Sequence, residues 1–379
     1  MLGFSNIIKS MKKYNSFDAL VIGGGIVGSS IGYGLSKYGL KTAILDGNDT
    51  SFRASTGTFG LVWVQGKGGK LNDYAKWALL ASKSFPNLSD ELKDFTGIDI
   101  NYTKNGGYKI LLDENEVNQR KKLLQSIKQK GGDEVADFEL LDDRQVRSEI
   151  PNLGNRVLGA TFCKDDGDCD PLSLLKSYRI GFKKNKGEFI SNCFVNDIEN
   201  KNNEILVHTS KGVVSTGKLV LAAGIANKKL GKLVGLDVPV KPIRGQVLVS
   251  ERVDPVLPVL TNTIRQTNDG YLLFGEIKED IGISTEVTRE GINEVATKAM
   301  KTFPILSNLR IIRTWGAMRP MPEDTFSIYD QSPLNKEIYL VSVHSGVSQS
   351  ALHSSVVSSW IKGNSKHKLM EELSLNRFQ

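Results

Sequence analysis

The sequence predicts an α/β protein joined to a second, strand-rich region, and three stretches carry that prediction. An apolar strand at residues 17–22 runs straight into Gly23-x-Gly25-x-x-Gly28, followed by a helix-like segment and a second strand at 41–45. Later, Lys218-Leu219-Val220-Leu221-Ala222-Ala223-Gly224 has the continuous apolar run of a parallel strand buried on both faces, ending in a small-residue turn. The fold begun near the N-terminus therefore resumes after an inserted block. Residues 238–315 instead hold several short β-type runs around one helical run.

The residue types at the first turn suit a dinucleotide. Gly23 permits a tight turn, Gly25 lets the backbone approach a pyrophosphate, and Gly28 lets helix and strand pack closely. The helix opening at Ile26 and Val27 offers N–H groups and the positive end of its dipole to phosphates. Asp46 closes the second strand, where a carboxylate accepts hydrogen bonds from ribose hydroxyls. Strand, loop, helix, strand and acid in this order predict a Rossmann-like dinucleotide site.

After Asp46 comes Arg53-Ala54-Ser55-Thr56-Gly57-Thr58-Phe59-Gly60-Leu61-Val62-Trp63-Val64-Gln65-Gly66-Lys67-Gly68-Gly69. Two readings stand side by side here. Backbone amides could approach a planar ring between the aromatic walls Phe59 and Trp63, or the stretch is a glycine-rich loop with two core aromatics. Apolar positions over 71–95 recur with a helical period. Residues 101–112 predict a strand pair turning at Asn105-Gly106-Gly107. Residues 114–130 predict a polar, lysine-rich helix, and Asp142-Asp143 a cap for a short helix ending before Pro151. A helix with proline in its first turn is expected at 171–182. Strands are expected at 189–198, 204–209, 212–216, 238–250, 262–266, 270–274 and 311–316, with a helix at 289–303. A last strand, 337–343, leads through His344-Ser345-Gly346 into a helix reaching Ile361.

At 379 residues, two domains are the natural expectation. The net charge of +7 comes mostly from lysines interleaved with acids, the pattern of a solvated surface and not of a nucleic-acid groove. Three cysteines, Cys163, Cys169 and Cys193, are too few and scattered for a disulfide framework or an iron–sulfur cluster. Asp165, Asp166 and Asp168 lie around the first two, but nothing completes a metal site, so none is expected. No apolar run reaches the ~18–20 residues that span a bilayer. Residues 1–16 carry lysines without the apolar core of a secretory signal and read as a disordered extension. A cytoplasmic protein is expected, with peripheral membrane association left open.

With these pieces in place, the chain resembles the FAD-dependent amine and amino-acid oxidoreductases of the D-amino-acid oxidase and glycine oxidase family. The resemblance runs from Phe17 to about Ile361. Its anchors are the glycine turn with Asp46, the strand and turn ending at Ala223 and Gly224, the stretch Trp315-Gly316-Ala317-Met318-Arg319-Pro320-Met321-Pro322-Glu323-Asp324, and Val343-His344-Ser345-Gly346-Val347. The stretch 58–68 resembles a narrower branch holding the flavin subunits of opine oxidase, D-hydroxyproline dehydrogenase and hydrogen cyanide synthase.

This resemblance implies an FAD-binding domain interleaved with a substrate domain built on a large antiparallel sheet. The blocks would be 17–85, 151–235 and 316–363 for FAD, 86–150 and 236–315 for substrate, with a C-terminal tail at 364–379. It also assigns roles. Val195 would hold the adenine edge through its backbone. Arg53, Ala54, Ser55, Thr58, Phe59, Gly60 and Leu61 would line the phosphates and the flavin ring. Ser345, Gly346, Val347 and Ser348 would present the start of the last helix to the flavin. Arg319 would clamp a substrate carboxylate, unless it merely pairs with Glu323 or Asp324, and His344 would stand in the substrate pocket or close a strand end. Related enzymes tether flavin through a cysteine in the stretch matching 316–324; this chain has no cysteine after Cys193, so FAD is expected to bind without a covalent link. No second glycine fingerprint follows another strand, so electrons should come from an organic amine or amino acid, including opine-like ones. A 2-hydroxy acid on the same fold and a flavin-bearing subunit inert without its partner are the competing readings.

Overall fold

The computed structural model describes residues 15–47, 53–201 and 204–379. Its main sheet is built on four mutually adjacent parallel strands. Asn15–Ile22 lies between Thr42–Leu45 and Gly212–Leu221, and Ile338–Ser342 follows on the far side of the latter. Glu188–Ile190 extends one edge in parallel, and Ile328–Gln331 closes the other antiparallel. Leu20, Val21, Ile44, Leu45, Leu219 and Val220 have no exposed surface, because helices cover one face, antiparallel strands with the short helix Asn227–Lys232 cover the other, and both sets of side chains must be apolar.

The helix Ile26–Lys37 crosses back over this sheet and packs on Pro171–Lys184. The proline sits in the first turn of the second helix, with Asp170 capping Leu172 N. On the same side, Asn72–Thr96 and the last helical stretch, Gly346–Lys362 with a π-type turn at His353–Val357, complete the layer.

The second region is a four-stranded antiparallel sheet, ordered Ile264–Gln266, Tyr271–Phe274, Val240–Arg252 and Ile311–Pro322. Its helix, Arg289–Thr302, starts where the Thr288 hydroxyl accepts from Gly291 N. A smaller sheet pairs Gly107–Leu111 and Glu139–Asp142 with Gly159–Cys163. Asp142 and Gln145 form the capping box of Asp143–Glu149.

Several expectations change. Asn15 and Ser16 belong to the first strand, while residues 1–14 lie outside the described residues. No hairpin forms at Asn105-Gly106-Gly107: Gly106 turns with φ +77°, but Gly107–Leu111 pairs with Gly159–Cys163 and Thr103 bridges to Asp168. The distant strand supplies an aromatic partner, Phe162 against Tyr108 with ring centroids 4.7 Å apart, while Tyr102 packs instead on Phe85 at 4.9 Å. Residues 212–221 form one strand, not two. From Val214 onward it pairs parallel with the first strand; on its other edge its first half pairs antiparallel with Glu204–Thr209, which pairs with Val195–Lys201, and its last residues pair parallel with Ile338–Ser342. Ladders also cross two expected boundaries. Gly159–Cys163 pairs with the smaller sheet, and Ile311–Pro322 runs unbroken through residue 316 because its pairing with Val240–Ser250 continues on both sides. Residues 364–379 are not a tail: Leu369, Met370 and Leu373 join the core around Trp77, and Arg377 holds Asp324 at 2.6 and 3.2 Å.

Candidate functional site

One cleft of about 1670 Å³ runs between the two regions, from the N-terminal glycines to the antiparallel sheet. At its first end the strand Asn15–Ile22 stops at Gly23, whose φ of +110° only glycine adopts readily. Gly23 N donates to Leu45 O at 2.8 Å, which fixes the turn against the neighbouring strand. A Cβ on Gly28 would strike Gly23 O, and one on Gly25 would stand 2.7 Å from Ser55 Oγ. The helix that follows has no acid in its first turn and no capping side chain of its own. Instead Ser55 Oγ accepts from Ile26 N at 2.9 Å. Asp46 accepts from Gly24 N at 3.0 Å and from Arg53 Nη1 at 2.7 and 2.8 Å.

This end suits an adenine dinucleotide on its own chemistry. It offers a backbone cradle that side chains would fill, helix N–H groups one hydroxyl away from an anion, and a carboxylate within the same turn. Val195, Ala223 and Gly224 line the wall beside it.

The glycine-rich stretch after Arg53 is part of the cleft wall. Thr58, Phe59, Leu61 and Trp63 line the cavity, and neighbouring elements hold their backbone. Trp315 Nε1 donates to Gly57 O at 3.2 Å, and Arg265 Nη1 to Phe59 O at 3.0 Å. Ser348 Oγ accepts from Trp63 N at 3.0 Å and donates to Leu61 O at 3.1 Å. Beneath them the buried Asp166 accepts from Val64 N, Gln65 N and Gln65 Nε2, at 2.5, 3.2 and 2.7 Å. Burial pushes its carboxyl up to about 7, against these donors and nearby Arg120. Of its neighbouring aspartates, Asp165 pairs with Lys104 at 2.9 Å and Asp168 pairs with Arg265. Among the described residues there is no metal-binding cluster, and no helix is long and apolar enough to cross a membrane.

At the far end stands Arg319. It lies over Gly245, where a Cβ would collide with the guanidinium, and donates to Ile277 O at 2.8 Å and Arg244 O at 3.3 Å. It pairs with neither Glu323 nor Asp324; the latter is held by Arg377. Burial holds its guanidinium below the usual value, against the pull of Glu276 and Glu279. Across the cleft, Lys67 donates to Ser345 Oγ, and His344 has a buried Nδ1 without a partner. Desolvation first, then the charges of Lys67, Arg319 and Lys278, push His344 down to about 3, so its imidazole is neutral at physiological pH.

Nearly all the expected residues meet in this one cleft. Ile26, Val27, Ala54, His344, Ser345, Gly346, Val347 and Ser348 line it beside those described above. Gly28 and Gly60 do not. Gly28 packs helix to strand, and Gly60 (φ +88°) packs its turn on Cys169 O. Sequence reasoning missed Lys67, Lys109, Glu276 and Lys278. Lys67 sits inside the glycine-rich stretch, a lone cation among small residues. Glu276 has a left-handed backbone (φ +77°), unusual for a non-glycine residue and without any sequence signal.

The family model "FAD dependent oxidoreductase" (DAO) matches residues 18–360. An opine oxidase subunit of Rhizobium meliloti is 34% identical over 359 residues, 94% of this chain and 96% of that protein. Glycine oxidase of Bacillus licheniformis is 27% identical, covering 86% of this chain and 88% of its own length. The crystal structure of glycine oxidase from Geobacillus kaustophilus superposes with a TM-score of 0.88 at 22% identity, over 96% of this chain and 99% of that one.

Proposed function

Because the chain belongs to the DAO family of FAD-dependent oxidoreductases, we propose that it oxidises the C–N bond of an amino acid or N-substituted amino acid. When bound, the flavin ring supplies the two-electron acceptor. The observation that carries this reading is Arg319, a cation facing the cleft whose hydrogen bonds end on backbone carbonyls and not on a carboxylate.

A guanidinium grips a carboxylate through two parallel N–H···O bonds, which fixes the angle of the substrate as well as its position. Ile277 O and Arg244 O hold the guanidinium, and Gly245 leaves the room it occupies. Neutral His344 offers a ring nitrogen to an amine N–H. The cations around it disfavour a protonated amine, as they disfavour a protonated imidazole, and so favour the neutral amine that loses hydride readily. Phe59 and Trp63 give the cleft wall two apolar faces. Asp46, Arg53, Ser55 and the N–H groups at Ile26 would hold the adenosine and phosphates, without a covalent link to the chain. Gly346 and Val347 would face the flavin ring from the start of the last helix.

The relative from Rhizobium meliloti is named as one subunit of its enzyme, and a partner subunit belongs to this reading. The test is anaerobic titration of the yellow protein with glycine, sarcosine, proline, D-amino acids, opines and 2-hydroxy acids, following absorbance near ~450 nm. Bleaching by an amine supports the proposal. Bleaching by hydroxy acids alone would sink it, and bleaching only after a co-purifying partner is added would make that partner obligatory.

A further inference from the structure

One of the two carbonyls that hold Arg319 belongs to an irregular piece of sheet. The strand Tyr271–Phe274 pairs antiparallel with Val240–Arg252 at Phe274 and Leu248, and the pairing resumes where Glu279 bridges Arg244. Between these two pairs the long strand has three residues and its neighbour four, Gly275 to Lys278. The extra residue makes a β-bulge, with Glu276 at its left-handed φ of +77°. Such bulges re-aim the groups they contain. The Ile277 side chain stays buried with Leu248, Phe274 and Val295, while Ile277 O accepts from Arg319 Nη1 at 2.8 Å.

A non-glycine residue keeps a left-handed backbone only where its surroundings hold it, and both ends of this bulge are tied by ion pairs. The Glu276 carboxylate is shared between Lys109 and Lys298, at 3.5 and 3.2 Å. At the other end Glu279 accepts from Arg244 Nε and Nη2, each at 2.8 Å, and from Gln246 Nε2 at 2.9 Å. The Arg244 side chain is only 4% exposed, and its Nη1 donates to Glu286 O at 2.7 Å. Arg244 O accepts from Glu279 N at 3.0 Å and from Arg319 Nη1 at 3.3 Å. The two carbonyls that orient Arg319 thus lie on the two chain segments that the Glu279–Arg244 pair ties together. We infer that Glu279 is a positioning residue for substrate binding: its two-pronged pair with Arg244 fixes the bulge, and the bulge fixes the angle of Arg319. The inference rests on the reading of Arg319 given above. Glu279 itself lies outside the cleft wall, so it acts through the arginine and not on the ligand.

The test is a double-mutant cycle on the Kd of acetate, read from the perturbation of the flavin spectrum in anaerobic holoenzyme. Glu279→Gln keeps the shape of the side chain and removes its charge. Glu279 acts on the charge of Arg319, so losing that negative charge would by itself strengthen anion binding. A turned guanidinium instead loses one of its two parallel bonds to the carboxylate, so acetate should bind about tenfold more weakly, with flavin content unchanged. Arg244→Lys keeps the charge, gives up the two-pronged grip, and should act in the same direction. With Arg319→Met already present, neither substitution should weaken acetate further. Acetate binding left intact or tightened by both variants would overturn the inference. An equal weakening with and without Arg319 would do so too, since it marks a general loosening of the fold. Should Arg319→Met alone leave acetate binding unchanged, the reading of Arg319 falls first and takes this inference with it.

Discussion

The two ends of the cleft solve opposite problems. At the glycine end, polar groups already satisfy one another: Asp46 holds Arg53 and Gly24 N, and Ser55 holds Ile26 N. A ligand there exchanges one set of hydrogen bonds for another, so the end is shaped in advance. At the antiparallel end, Arg319, Lys67 and Lys278 face the cavity without an ion pair to a carboxylate, beside a segment that includes the left-handed Glu276. A ligand there supplies charge that the protein lacks. The first end fits a cofactor that stays, and the second fits an anionic substrate that comes and goes.

That contrast can be broken most sharply at Arg319. Arg319→Met should lower kcat/KM by about two orders of magnitude, the ~3 kcal/mol of a charge-assisted pair, while the flavin content of the purified protein stays the same. Equal losses of flavin and activity would show the two ends to be one structural unit. Gly245→Ala leaves every charge in place and pushes on the guanidinium. It should raise KM about tenfold with a smaller effect on kcat, and unchanged kinetics would mean that the orientation of Arg319 is unimportant. At the other end, Asp46→Ala should weaken FAD about tenfold, the cost of one charged hydrogen-bonding group, measured by flavin release in dilute protein, with KM for substrate little changed.

The smallest effect concerns pH. His344 and the fully buried His353, which bonds Tyr329 Oη at 3.0 Å, are both pushed down to about 3, each chiefly by burial. A histidine whose folded value lies below its unfolded value of ~6.5 binds fewer protons in the native state. Its stabilising contribution is therefore complete above ~6.5 and is lost as the pH falls toward 3. Each histidine adds at most ~1.4 kcal/mol of destabilisation per pH unit across that window, less for His344, which lines the cleft. Urea unfolding should show stability falling between pH 6.5 and 4, with a shallower fall in His353→Gln; a flat profile would contradict the burial of both rings.

Legibility in the sequence follows the same division. The glycine turn, its helix and Asp46 lie within one continuous βαβ unit, so spacing alone places them. The helix capped by Asp142 was equally readable, because a cap acts on residues two or three positions away, and the helix opening at Pro171 was readable from the proline in its first turn. The hairpin expected at Gly106 failed because strand pairing depends on which distant strand offers an apolar face, and local turn residues cannot report that.

Local sequence, then, determined the parallel βαβ unit, the dinucleotide turn and the covering helices, since each rests on periodicities and contacts within a few tens of residues. Only the tertiary structure decided that Lys67, Lys278, Arg319 and His344 converge. They come from four elements spread over most of the chain, and a charge left without a partner is a property of the space around it, which no stretch of sequence encodes.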